Sequence, residues 1–176
     1  PQGQVGRGAG PRGRGPAQAR MSSARAYANQ SLYLARIQLQ AWAHALKEQS
    51  HPAATIDQAF APAVREHLLD AFGWFALHIL AVADLPGKPP HRCCELPSVV
   101  TGKSVPGEIR EFEQLEQGGW LGQLQEPLPP PGRPLRSPGN LAAVASSGLP
   151  DRATLAAWAD NLAGVVDRMG DSLDEC

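Results

Sequence analysis

Cysteine is scarce in this chain. There are three in 176 residues, two of them adjacent, Cys93 and Cys94, and the third at Cys176. That number and placement exclude a disulfide framework and point to a reducing cytoplasm. A long apolar run is also missing. The most apolar stretch, residues 72–82, is about half of the ~20 residues that span a bilayer, so no membrane is expected as a partner. Nothing after Met21 reads as a signal peptide. Lysine is nearly absent, with three against thirteen arginines. Ala, Gly and Pro are abundant beside that arginine. All of these have GC-rich codons, a composition that suggests a GC-rich bacterial genome. Acid is missing from residues 1–20, which hold Arg7, Arg12, Arg14 and Arg20 among Gly, Pro, Ala and Gln.

That last absence divides the chain at Met21. Residues 1–20 read as a disordered, non-native or upstream tail, and Met21 as the start of the protein proper. The whole chain has 16 basic and 17 acidic residues. Without the tail's four arginines the remainder holds 12 basic and 17 acidic, net −5. A surface of that sign is not steered toward phosphate backbones, so no nucleic-acid partner is expected. Residues 21–176 suit a single domain with one core.

Three long amphipathic patterns follow. Over 23–49, Ala28, Leu32, Ala35, Leu39, Trp42 and Leu46 recur at helical spacing, with Ser22 or Ser23 placed to cap. A second helix is expected from Thr55, where Thr55-Ile56-Asp57-Gln58 fits a capping box. Pro62 should kink it or start a new helix. From 63 to 84, one stripe (Val64, Leu68, Ala71, Phe75, Ile79, Val82) lies beside another (Leu69, Phe72, Ala76, Leu80). This helix is therefore central. Residues 86–106 hold five prolines and read as an irregular connection. A short helix over 106–117 carries Ile109 and Phe112, and Gly118-Gly119 breaks it before an apolar anchor at 120–124. Six of the twelve residues in 127–138 are proline, a linker inside the domain. The last helix, 151–173, is capped by Asp151 and striped by Leu155, Trp158, Leu162, Val165, Met169 and Leu173. No alternating pattern argues for a sheet. The expected fold is all-α: an irregular bundle of three long helices and one short one, with the Pro-rich linker before the last.

Asn29-Gln30-x-Leu32-Tyr33-x-Ala35-Arg36 precedes Trp42. An apolar helix with an interior His spans 63–80, and a Glu/Leu-rich helix joins Gly-Trp-Leu over 108–124. A Pro-rich link, Asn140-Leu141 and a final helix with Trp158 complete the series. This resembles a family of small, uncharacterised helical proteins from pseudomonad-type bacteria, a domain of unknown function. The resemblance spans residues 26–176. It departs at Arg65-Glu66-His67 and in the density of its prolines. It implies an all-helical fold, and it carries over no activity and no catalytic residue.

Few residues carry chemistry. Gly102-Lys103-Ser104 copies the end of a phosphate-binding loop, but the glycine needed five residues earlier is Pro97, so the motif fails. His91-x-Cys93-Cys94 lacks the paired spacing of a zinc site and reads as ordinary loop residues. No metal and no cofactor is therefore expected. On the second helix, His67, Asp70, Trp74 and His78 share a polar seam, with His67 and Asp70 one turn apart and able to pair. His67 and His78 lie about 16 Å apart along the axis, too far to share one ion. On the first helix, Asn29, Gln30, Tyr33 and Arg36 form a second polar cluster, with Arg36 placed to pair with a neighbouring helix. Pro131-x-x-Pro134-x-Arg136 matches a polyproline ligand but reads as linker. The expected function is a non-enzymatic protein-interaction or scaffold domain, docking a protein partner or a second copy through helix faces. Trp42, Trp74, Trp120 and Trp158 are its natural anchors. The rival is a small-ligand or enzymatic site around His67, Asp70 and His78 with Arg36 and Trp74.

Overall fold

The computed structural model describes residues 16–99, 101–130 and 148–174. Most of the Pro-rich linker with its polyproline-like motif at 131–136, Asn140-Leu141, Cys176 and most of the tail lie outside them. Among the described residues the chain is all-helical, with α1 (Pro16–Glu48), α2 (Ala53–Ile79), α3 (Gly107–Gly118), α4 (Trp120–Gln125), α5 (Arg152–Asp174) and one 3-10 turn (Cys93–Glu95).

α1 begins seven residues before the expected start. Pro16 is its first residue, where a fixed φ and a missing amide are harmless. Ala, Gln and Arg then extend it as good helix formers. Ser22 and Ser23 consequently lie inside the helix rather than at its start, and the composition change at Met21 falls inside a helix. The core stripe is as expected: Ala28, Leu32, Ala35, Leu39 and Trp42 are buried.

α2 is one helix through Pro62 rather than two. Pro62 is exposed, while Ala61 and Val64 beside it are fully buried and hold the segment to the core. The helix starts at Ala53, with the Pro52 carbonyl accepting from the amides of Thr55 and Ile56 at 2.9 and 3.1 Å. The Thr55–Gln58 capping box therefore does not form. The helix also stops at Ile79, five residues early. The Ala81 amide donates to His78 O at 3.0 Å and the Val82 amide to Leu77 O at 3.2 Å. That pairing is a Schellman ending, with Ala81 in the left-handed region at φ +51°.

α2 is central, as its two stripes predicted. Its most extensive contact is with α1, and it also touches α3, α4 and α5. Phe112 of α3 meets Phe72 edge-on at 5.0 Å and Phe75 at 6.3 Å. α4 is the apolar anchor of 120–124, now a short helix that buries Leu121 and Leu124. Arg65 holds its end, donating to the carbonyls of Leu124 and Gln125 at 2.9 and 3.1 Å. Asp151 caps α5, accepting from the Thr154 amide at 2.7 Å. Leu155, Trp158, Leu162, Val166 and Met169 of α5 close the core, and Arg168 pairs with Glu111 of α3.

Candidate functional site

The site grows from one face of α2. Glu66 and Asp70 are one turn apart, so their carboxylates leave the same side of the helix. Gly73 follows, also one turn on. It is buried, and a Cβ there would lie 2.0 Å from Pro90 O and 2.9 Å from Pro89 Cβ. The missing side chain is what lets the connection after α2 run directly against the helix. The next residue is His91.

Three contacts fix His91. Its amide donates to Glu95 Oε2 at 2.7 Å, inside the 3-10 turn. Its carbonyl accepts from Gln125 Nε2, at the end of α4, at 2.8 Å. Its Nε2 lies 2.7 Å from Asp70 Oδ1, and both side chains are about three-quarters buried, at 21% and 25% exposure. Lys88, on the same connection, reaches Glu66 with Nζ 3.2 Å from Oε1. A carboxylate pair on one helix thus meets an imidazole and an ammonium from one loop.

The expected His67–Asp70 pair is replaced by Asp70–His91. His67 is half-buried one turn before Asp70 and makes no hydrogen bond or ion pair among the described residues. Trp74 is half-buried and packs on Tyr27 of α1 with centroids 5.1 Å apart. His78 sits against Phe75 at 5.8 Å. Arg36 is exposed and pairs with no carboxylate among the described residues. Of the five residues of the rival ligand site, Asp70, Trp74 and His78 therefore serve different neighbours.

Two mainly apolar cavities flank the end of α2. One of about 490 Å³ is lined by Leu77, Val82, Pro86, Pro89, Pro90 and Pro97, with Lys88 and Glu95 at its edge. Another of about 410 Å³ includes Ile79, Leu80, Val99, Lys103 and Ser104. Neither is lined by Arg36, His67, Asp70, Trp74 or His78. Gly102 is exposed at φ +94° in a loop with no strand before it among the described residues, which agrees with the failed phosphate motif.

The neighbouring cysteines are unlike each other. Cys94 is exposed. Cys93 is half-buried, its amide donating to Glu116 Oε2 at 2.8 Å. Burial, then the hydrogen bond to Glu116, pushes its thiol well above the usual range. Cys93 is thus a poor nucleophile.

His91 was missed as a partner of Asp70 because the two are 21 residues apart. The available signal was Gly73, a lone glycine in an apolar helix, together with the Pro89-Pro90 that precedes His91.

A second surface stands out on α1. Tyr27, Tyr33 and Ile37 are the exposed large hydrophobic side chains among the described residues, at 49%, 61% and 43% exposure. At 100° per residue they fall within about 120° of the helix circumference. Ala26, Gln30, Leu34 and Ala41 fill the same arc, which holds no charge from 26 to 41. No helix is long and apolar enough to cross a membrane among the described residues. Comparison with family models, with curated proteins and with solved structures gave no match.

Proposed function

We propose that this chain is a non-enzymatic interaction domain that pairs with a second copy of itself through the outer face of α1. The observation that carries the reading is the gathering of Tyr33 and Ile37 on one arc of one helix, with the half-exposed Tyr27 at the arc's edge, where its ring also packs on Trp74 of α2. Exposed apolar side chains scattered singly need no explanation, but a contiguous group marks a contact surface. Tyrosine is also among the side chains enriched in interface cores. The arc's lack of charge favours a second copy. A two-fold pair lays a surface against itself, so a charged centre would repel. α1 runs about 50 Å, room for a long contact.

On this reading the chain is an irregular helical bundle of bacterial, cytoplasmic origin, related to the uncharacterised helical family that the sequence resembles. It assigns no catalytic residue. The test is sedimentation of the full chain over a range of concentrations. Association carries the mass from 18.7 kDa toward twice that value. A monomer throughout overturns the proposal.

A further inference from the structure

We propose that Glu66, Asp70 and His91 form a binding site for one divalent transition-metal ion of the zinc class. Each offers a ligand atom, and the three atoms all lie within 4.8 Å of one another. Ligands about 2.1 Å from a common ion stand roughly 3.0–3.4 Å apart in octahedral or tetrahedral geometry. The Asp70–His91 edge, at 2.7 Å, has to open by less than about 1 Å to meet that spacing. Glu66, within 4.8 Å of the other two ligand atoms, has to close by at most about 1.4–1.8 Å, and its side chain is 46% exposed.

An ion pair between Asp70 and His91 needs neither the second carboxylate nor the clamped backbone. Here Glu66 stands one turn from Asp70 on the same face, and His91 is held at its amide by Glu95 and at its carbonyl by Gln125. Gly73 admits the chain that delivers the imidazole. A rigid histidine facing two carboxylates is a preorganised ligand set. Lys88 already places a cation at Glu66, but on a side chain 73% exposed that solvent readily takes back. An arriving metal ion displaces it. The imidazole gives Nε2 to the metal as a lone pair, its hydrogen moving to Nδ1 or to solvent, so binding weakens as pH falls. Two carboxylates and one imidazole suit Zn²⁺, Mn²⁺ or Fe²⁺, and three protein ligands leave a position for water.

The probe is Co²⁺ added to the full chain, followed by its visible absorption and by competition with Zn²⁺. The expected result is one saturable equivalent, without a thiolate charge-transfer band, displaced by Zn²⁺. Glu66→Gln, at a half-exposed position that leaves the fold intact, weakens binding at least about 10-fold. His91→Gln abolishes it. Lys88→Ala strengthens it several-fold, because the competing ammonium is gone. The proposal is overturned by the absence of saturable binding below millimolar Co²⁺. It is equally overturned by binding that survives both Glu66→Gln and His91→Gln, or by a thiolate band that disappears in Cys94→Ser.

Discussion

The carbonyl of Pro90 occupies the space a side chain would take at Gly73, where a Cβ would stand 2.0 Å from the oxygen. The obstacle is backbone on both sides, so neither partner yields cheaply. Gly73→Ala should therefore destabilise the protein by about 1–3 kcal/mol or more. The same change should lift His91 away from Asp70. Chemical denaturation measures the first effect, and the histidine resonances of His91 report the second.

That contact also marks the limit of what one-dimensional reading reaches. Periodicity located the core stripes of α1, α2 and α5, because burial of one helix face leaves a local record. Ala28 to Trp42 fell where their spacing placed them, as did Leu155, Trp158, Leu162 and Met169, with Val166 buried and the expected Val165 only partly so. The Asp151 cap was legible for the same reason, since Thr154 is three residues away. The helix ends were less so. α1 extends back to Pro16 because helix formers propagate a helix wherever nothing stops them. α2 ends at Ile79 on a left-handed Ala81, where the local signal for an ending, a glycine, is absent. The Asp70–His91 pair was invisible because its spacing belongs to tertiary structure. The sequence brought His91 forward beside Cys93 and Cys94, its neighbours along the chain, and only the docking at Gly73 turns it toward Asp70.

Trp42 is fully buried, and its indole N–H donates to Asp57 Oδ1 at 3.0 Å. Asp57→Ala leaves a buried donor without its acceptor. The expected loss is about 1–3 kcal/mol, with Asp57→Asn costing less because an amide oxygen still accepts. Denaturation midpoints of the two variants, followed by tryptophan fluorescence, check the order.

Ala81 ends α2 at φ +51°, a conformation that glycine adopts without strain. Ala81→Gly should stabilise the protein by about 1 kcal/mol, an unusual direction for a change to glycine. A raised thermal midpoint is the outcome to look for, and a lowered one contradicts the Schellman ending.

Asp151 accepts from the Thr154 amide, which holds its carboxyl below the usual range. A depressed folded pKa contributes stability above the unfolded value of about 3.9 and loses it as pH falls through the folded value. Asp151→Ala should cost about 1 kcal/mol at neutral pH. The gap between the two proteins should close as pH drops below about 4. Urea midpoints at pH 7 and at pH 2.5 test both parts.

Pairing of two copies through α1, as proposed, depends on Tyr33 and Ile37. The most direct measurement is sedimentation equilibrium of the full chain beside Tyr33→Glu and Ile37→Glu. Both side chains are exposed, so a charge at either leaves the fold intact while opposing its own copy across a two-fold contact. The expected result is concentration-dependent association for the unaltered chain and a weakening of at least about 10-fold in each variant, as for substitutions at an interface centre. Association equal in all three proteins, or a monomer in every case, would contradict it.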